Sequence, residues 1–317
     1  MSRDPDGPTA DNDLMNVLVC YDGSDEARAA LRCVGELVAA KPVNVTVLFV
    51  RPKAPSGYTE MVDLAREKIV DWELDLPGLV VLREAEEMLV KEGEVEEGEG
   101  GQPAKVRHGL KQLEKGLLEV HLFGLHDENI RLRLRDGGDA AGVILNEMDS
   151  LPYDMVVLGS RGKRGLKRWV MGSTAQRVAL FCEATVLVVR GKHELHRVMV
   201  CTDGSEGSEH AVRFIAPLAK AKGCELTALA VAKGEAERAE AERVVDRASS
   251  LFAEAGVKCA VQVVEGGDRA EAILKASEGY DLVVLGASGK SHMRRFLVGS
   301  VPLKVLEHSP GSVMIVK

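Results

Sequence analysis

The sequence predicts an α/β chain made of two tandem, doubly wound parallel-sheet domains. Three observations carry the prediction. The chain repeats itself: residues 16–41 align without a gap on residues 197–222, so that Val17, Val19, Asp22, Gly23 and Ser24 recur as Val198, Val200, Asp203, Gly204 and Ser205. A second block starting at Leu134 matches one starting at Val263, each running through Gly-Gly-Asp to an apolar run that ends in Leu-Gly. Within each copy, short apolar β-branched runs alternate with stretches of helical period, the pattern of a parallel sheet with crossover helices. Repeats of this length are whole domains, not solenoid units.

The elements follow in order. Residues 1–13 are polar and rich in turn formers and read as a loose tail. The first domain spans 14–192 and the second 193–317. Each opens on a strand (NVLVCY, RVMVCT), then Asp-Gly-Ser, then a helix capped by Ser24 or Ser205, with Asp25, Glu26 and Glu206 favourably placed for the helix dipole. Strands follow at 45–50 and 226–231. The second copy continues with a helix from Glu235 to about Glu254, a strand CAVQVV, a helix DRAEAILKASE and a strand DLVVLG. It closes on a helix SVPLKVLEHS and a last strand SVMIVK, and the first copy ends on the corresponding TVLVVR. The offset between the copies is 181 residues at Asp22/Asp203 and 129 at Gly137/Gly266, so the first copy carries about 52 extra residues, assigned to 57–108. Their Glu/Gly-rich core reads as a solvated excursion, with marginal helices on either side.

Composition narrows the function. A formal net charge of −8 argues against a dedicated nucleic-acid or anionic-membrane binder. No run is long enough to span a bilayer. The six cysteines form no CxxC pair and no metal-ligand spacing, which suits free thiols in a reducing cytoplasm. His108, His121 and His126 miss the spacing of a helical metal pair and read as surface residues.

The chemistry-bearing motif occurs twice. After one apolar strand come Gly159, Ser160, Arg161 and Gly162, then nine residues, then Gly172 and Ser173. After its counterpart come Gly286, Ala287, Ser288 and Gly289, then nine residues, then Gly299 and Ser300. Both copies fit G-x2-G-x9-G-S between a strand and a helix. A strand-end glycine lets a ligand approach the backbone, a second permits the positive φ of a phosphate-cradling turn, and Gly-Ser offers a helix N-terminus to an anion. The same glycines also suit ordinary turns and caps. GASGKS at 286–291 is no P-loop, because Val284 stands where its first glycine belongs. Asp154 and Asp281, ahead of their strands, read as turn or cap residues.

The Asp-Gly-Ser, the Gly-Gly-Asp and the glycine loop together resemble the universal stress proteins, in particular their ATP-binding branch. The resemblance covers both copies apart from the tail and the extra segment. It implies two sites for an adenine nucleotide: ATP, with ADP or AMP as alternatives and Mg accompanying the phosphates. By motif position, Asp22 and Asp203 contact the adenosine. The backbone near Cys20 and Val50, or Cys201 and Val231, lines the adenine pocket, with Leu158 or Leu285 against the base. Arg161, Gly159, Gly162, Gly172, Ser173 and Thr174 serve the ribose and phosphates of the first site. Gly286, Ser288, Gly289, Gly299, Ser300 and Val301 serve the second. Beyond the two aspartates no group suggests catalysis, so the expectation is regulatory ATP binding with at most slow hydrolysis. The alternative is a protein-interaction module with vestigial sites that acts through the acidic segment 57–108. The family commonly dimerises through its last strand, so the resemblance implies that TVLVVR (185–190) and SVMIVK (312–317) pair within this chain as an intrachain pseudo-dimer, covering both edges. A further homodimer is also compatible with the sequence.

Overall fold

The computed structural model describes residues 14–40, 43–52, 78–91, 109–114, 117–123, 129–162, 171–191, 195–287 and 298–317. The first copy contains β1 (Met15–Cys20), α1 (Asp25–Ala40), β2 (Val43–Arg51), α2 (Leu79–Lys91), β3 (Gly109–Glu114), β4 (Leu117–Phe123), β5 (Asn129–Asp136), α3 (Ala140–Ser150), β6 (Met155–Gly159), α4 (Ser173–Phe181) and β7 (Thr185–Val189). The second contains β8 (Arg197–Cys201), α5 (Glu206–Lys222), β9 (Glu225–Ala232), α6 (Glu235–Glu254), β10 (Cys259–Glu265), α7 (Arg269–Ala276), β11 (Leu282–Gly286), α8 (Ser300–His308) and β12 (Ser312–Val316).

All twelve strands form one sheet in the order β10-β9-β8-β11-β12-β7-β6-β1-β2-β5-β4-β3. Within each copy the five core strands are parallel. The first strand of each copy lies between the second and the fourth, so the winding reverses there and a crevice opens at the carboxyl ends. Successive core residues point to opposite faces and both faces are dry, hence the continuous apolar runs. Val17 and Val19 join α1, α2, α5 and α6 on one side, whereas Leu18 joins α3, α4, α7 and α8 on the other.

The copies meet where the family resemblance implies. β7 and β12 pair antiparallel, Val188 opposite Val313 and Val186 opposite Ile315. Side chains reinforce the seam. The Arg190 amide donates to Ser312 Oγ at 3.2 Å, Lys317 Nζ donates to the Ala179 carbonyl at 2.9 Å, and Gln176 of α4 donates to Glu307 of α8 at 2.7 Å.

Two expectations for the first copy need correction. Within 57–108 the described residues, 78–91, are no solvated excursion: α2 buries Leu82, Ala85 and Leu89 in the core. Spacing at three and four residues puts these apolar groups on one stripe together with the buried Glu86, whereas Glu84 and Glu87 lie off it. The rest of that segment lies outside the described residues, as does the tail 1–13. The second correction concerns additional strands that the periodicity did not single out. β3 and β4 form an antiparallel hairpin, and β4 pairs antiparallel with β5, extending the sheet past the point where the second copy stops. A buried ionic cluster keys the hairpin to the fold. Arg133 on β5 pairs with Glu119 on β4 and Glu147 on α3, Arg135 reaches Glu147 at 2.7 Å, and the Tyr153 hydroxyl donates to Glu147 at 3.1 Å.

Candidate functional site

In the second copy the carboxyl ends of β8, β9 and β11 open into a cavity of about 570 Å³. Cys201, Asp203, Val231, Leu285, Gly286, Gly299, Ser300 and Val301 all line it. Ser288 and Gly289 lie outside the described residues. Sequence reasoning missed part of the wall: Thr202 and Ser208 beside Asp203, Glu237 and Glu240 from α6, and Arg269 from α7. Arg269 directly follows the Gly-Gly-Asp and Glu237 lies in the first turn after β9, so only their proximity to strand ends could have flagged them.

Each component has a local cause. Gly204 turns the chain at φ 74°, a left-handed conformation suited to glycine, as Gly23 does at 71°. Ser205 then caps α5, its Oγ accepting from the Ser208 amide at 3.3 Å. The Asp203 carboxylate accepts from the Ser205 amide at 3.1 Å and its hydroxyl at 2.5 Å. Crowding by the protein would raise its pKa, but these bonds, with Ser208, outweigh that and hold it below the usual carboxylate range. Thr202 and Ser208 share a hydrogen bond at 3.1 Å under the cavity floor. Burial pushes the Cys201 thiol up to about 12, so it is a neutral, apolar wall.

Gly299 caps α8 without any side-chain bond to the first turn. Because Gly299, Ser300 and Val301 line the cavity, the first turn of α8 brings its backbone amides and positive pole to it, an arrangement that can hold an anion. The carboxyl ends of β8 and β9 supply the apolar side. The cavity therefore offers an apolar slot, a fixed carboxylate and an anion-binding helix end, and its volume suits a small-molecule ligand.

The first copy assembles the corresponding residues differently. Cys20 stands beside Leu158 in the β1–β6 register, and Val50 follows on β2. The loop after β6 folds onto the start of α1: Ser24 Oγ donates to the Arg161 carbonyl at 3.3 Å, and the Gly172 amide donates to the Ser160 carbonyl at 2.8 Å. A side chain at Gly162 would strike Asp22 Oδ2, at 2.5 Å from an added Cβ. The Arg161 guanidinium, expected at the phosphates, is paired with Glu26. Gly172, Ser173 and Thr174 open α4, again without a side-chain cap bond. Residues 163–170 and 288–297, which hold the basic residues between the glycines, lie outside the described residues.

The glycines themselves need reinterpretation. Gly162 lacks the positive φ expected of a cradling turn; next to the site it is Gly23 and Gly204 of the Asp-Gly-Ser turns that are left-handed. The strand-end glycines are pressed by helix backbone. An added Cβ at Gly286 would lie 2.3 Å from the Gly207 carbonyl oxygen, and one at Gly159 would lie 2.8 Å from the Glu26 carbonyl carbon. Close docking of α1 and α5 on the sheet demands glycine there whether or not a ligand binds. The Gly-Gly-Asp is likewise architectural. Asp139 pairs with Arg177 at 2.7 Å and Asp268 with Lys304 at 2.8 Å, each joining successive helices. Asp154 accepts from the Asn16 amide at 2.7 Å, and Asp281 accepts from the amides of His196 and Arg197 at 3.0 and 2.7 Å. Both aspartates tie strand entrances together, at the far end from the crevice. No cluster of three or more His, Cys, Asp or Glu able to hold a metal occurs among the described residues.

Fold and site together define a tandem doubly wound α/β protein with a ligand-sized cleft at a topological switch point. The universal stress protein family profile matches residues 14–190 and 194–317, and the chain belongs to that family, in a tandem arrangement. It is 24% identical over 299 residues to the universal stress protein Slr1230 of Synechocystis sp., covering 92% of this chain and 96% of that one. A universal stress protein of Mycolicibacterium smegmatis is 25% identical over 233 residues, 68% of this chain and 78% of its own. The crystal structure of a universal stress protein from Archaeoglobus fulgidus superposes with a TM-score of 0.59 at 19% identity, over 95% of this chain and 98% of that chain, which supports the shared fold. No helix of the described residues is long and apolar enough to cross a membrane.

Proposed function

We infer that this universal stress protein is a nucleotide-dependent regulator that holds ATP, or the related ADP or AMP, in the cavity of the second copy. One observation carries the reading: a roughly 570 Å³ cleft combines an apolar slot, the ionised Asp203 and the open N-terminus of α8. Leu285 and Val231 would pack on the base and Asp203 would accept from a donor of the adenosine. The amides of Ser300 and Val301 would take phosphate oxygens, with any Mg carried in by the phosphates. Phosphates belong at the α8 end, where the first turn of the helix supplies amides, whereas Glu237 and Glu240 of α6 bring negative charge to the lining. In the first copy Gly172, Ser173 and Thr174 would supply the corresponding helix end, while Arg161 is held by Glu26.

Among the described residues, the Asp203 carboxylate is engaged by the amide and hydroxyl of Ser205 instead of being poised on a water, so turnover is expected to be slow. The rival reading, an interaction module acting through residues 57–108, loses ground because the described part of that segment is a core helix. Isothermal titration of the full chain with ATP, ADP and AMP tests the proposal. Saturable heat that weakens in Asp203→Ala supports it, and no binding at millimolar ligand sinks it.

A further inference from the structure

The two edges of the twelve-stranded sheet are treated very differently. At one end, β3 carries a register shift between Gln112 and Glu114, and Lys111 stands within the strand. A bulge and a lysine are standard means of blunting an edge against further pairing. At the other end β10, CAVQVVE, has no lysine, no proline and no charge between Ala260 and Val264. Among the described residues it pairs only with β9, throughout its length and without a bulge. Val261, at its centre, is 47% exposed, one of three large apolar side chains so exposed among the described residues.

The first copy shows what such an edge accepts. β5 is the counterpart of β10, and there β4 adds antiparallel, with Leu118, Val120 and Leu122 opposite Leu134, Leu132 and Ile130. The peptide alternation is the same in both copies: Gly137 donates to the Arg51 carbonyl at 2.9 Å, and Gly266 to the Ala232 carbonyl at 3.0 Å. Counting back in twos from Gly266, the peptides of Val264, Gln262 and Ala260 face β9. Those of Cys259, Val261, Val263 and Glu265 face outward.

We propose that β10 is a homodimer interface, where β10 of a second copy of this chain adds antiparallel about a two-fold axis at Gln262. In that register Val261 meets Val263 of the second copy, Cys259 meets Glu265, and Gln262 meets Gln262. All four outward peptides of each strand find a partner. β10 of the second copy thus takes the place that β4 takes on β5. Like charges do not meet, because Glu265 lies at the strand end, already paired with Arg238 at 2.9 Å. An isologous contact of this kind closes on itself and leaves the blunted β3 edges outermost.

The test is light scattering on the full chain after gel filtration, over a wide concentration range, with three variants. Wild type should dissociate on dilution from twice the monomer mass. Val261→Pro removes only an outward donor and should give a monomer with an unchanged circular dichroism spectrum and melting temperature close to wild type. Val261→Lys should do the same by placing charge on the edge. Gln262→Cys should form a disulfide-linked dimer under mild oxidation, because residues facing each other in a non-hydrogen-bonded pair lie about 4.5 Å apart at Cα. Lys258→Cys, far from the axis, should not. A monomeric wild type at every concentration overturns the proposal. So does a dimer that both Val261 variants leave intact, or one that cross-links equally through residue 258.

Discussion

Gly286 makes the residue-scale argument most sharply. It was expected to admit a ligand, yet the atoms nearest its absent side chain belong to Gly207 and Ser208 of α5. Gly286→Ala should therefore force α5 off the sheet and cost about 2–3 kcal/mol by overpacking. Gly267→Ala, with nothing within 4 Å, should stay within about 0.5 kcal/mol. Denaturant melts of the two variants compare them directly. Asp203 yields a pH prediction. Its folded pKa is depressed, so its contribution to stability is complete above the unfolded value, near 4, and fades as pH falls through the lower folded value. The stability difference between wild type and Asp203→Asn should hence be flat from about pH 5 to 8 and shrink only in acid. A difference that varies across neutral pH would mean that some other group titrates.

At the scale of elements, most of the architecture was legible because the repeat doubled every signal. The runs at β1 and β8 and the Ser24 and Ser205 caps follow from local pattern, whereas the last-strand pairing follows from the family resemblance. The β3–β4 hairpin was not legible, since Leu110, Leu118 and Val120 are interspersed in sequence with Lys and Glu, and the burial of Glu119 depends on distant partners. Glu119 and Glu147 look like surface residues until Arg133 and Arg135 are placed against them. Glu147 has no solvent exposure. Glu147→Ala should strand two arginines and a tyrosine hydroxyl and cost about 3–5 kcal/mol, read by chemical denaturation. Joint replacement of Glu147, Glu119, Arg133 and Arg135 by apolar residues should cost far less. At the seam, Val188→Pro should break the β7 ladder and let the copies separate, with a larger radius of gyration by X-ray scattering. Unchanged compactness would count against the seam as the main joint.

For the whole molecule, the duplication produces two unequal sites. Thr202, Ser208 and Gly207 stand where the first copy has Tyr21, Ala27 and Glu26, and Glu26 draws Arg161 across the first loop. These differences were readable only after the structure joined the Asp-Gly-Ser turn to the glycine loop, because the pair is separated by 135 residues. The second cleft is accordingly expected to bind more tightly. Asp203→Ala should remove most of the high-affinity heat and Asp22→Ala much less. The most direct test of the central claim is calorimetric titration of the intact chain with ATP. The account predicts a saturable tight component that falls by about tenfold or more in Asp203→Ala, as loss of a charged hydrogen bond requires. An ATP titration with no saturable heat at millimolar ligand, or one indifferent to Asp203, would contradict it.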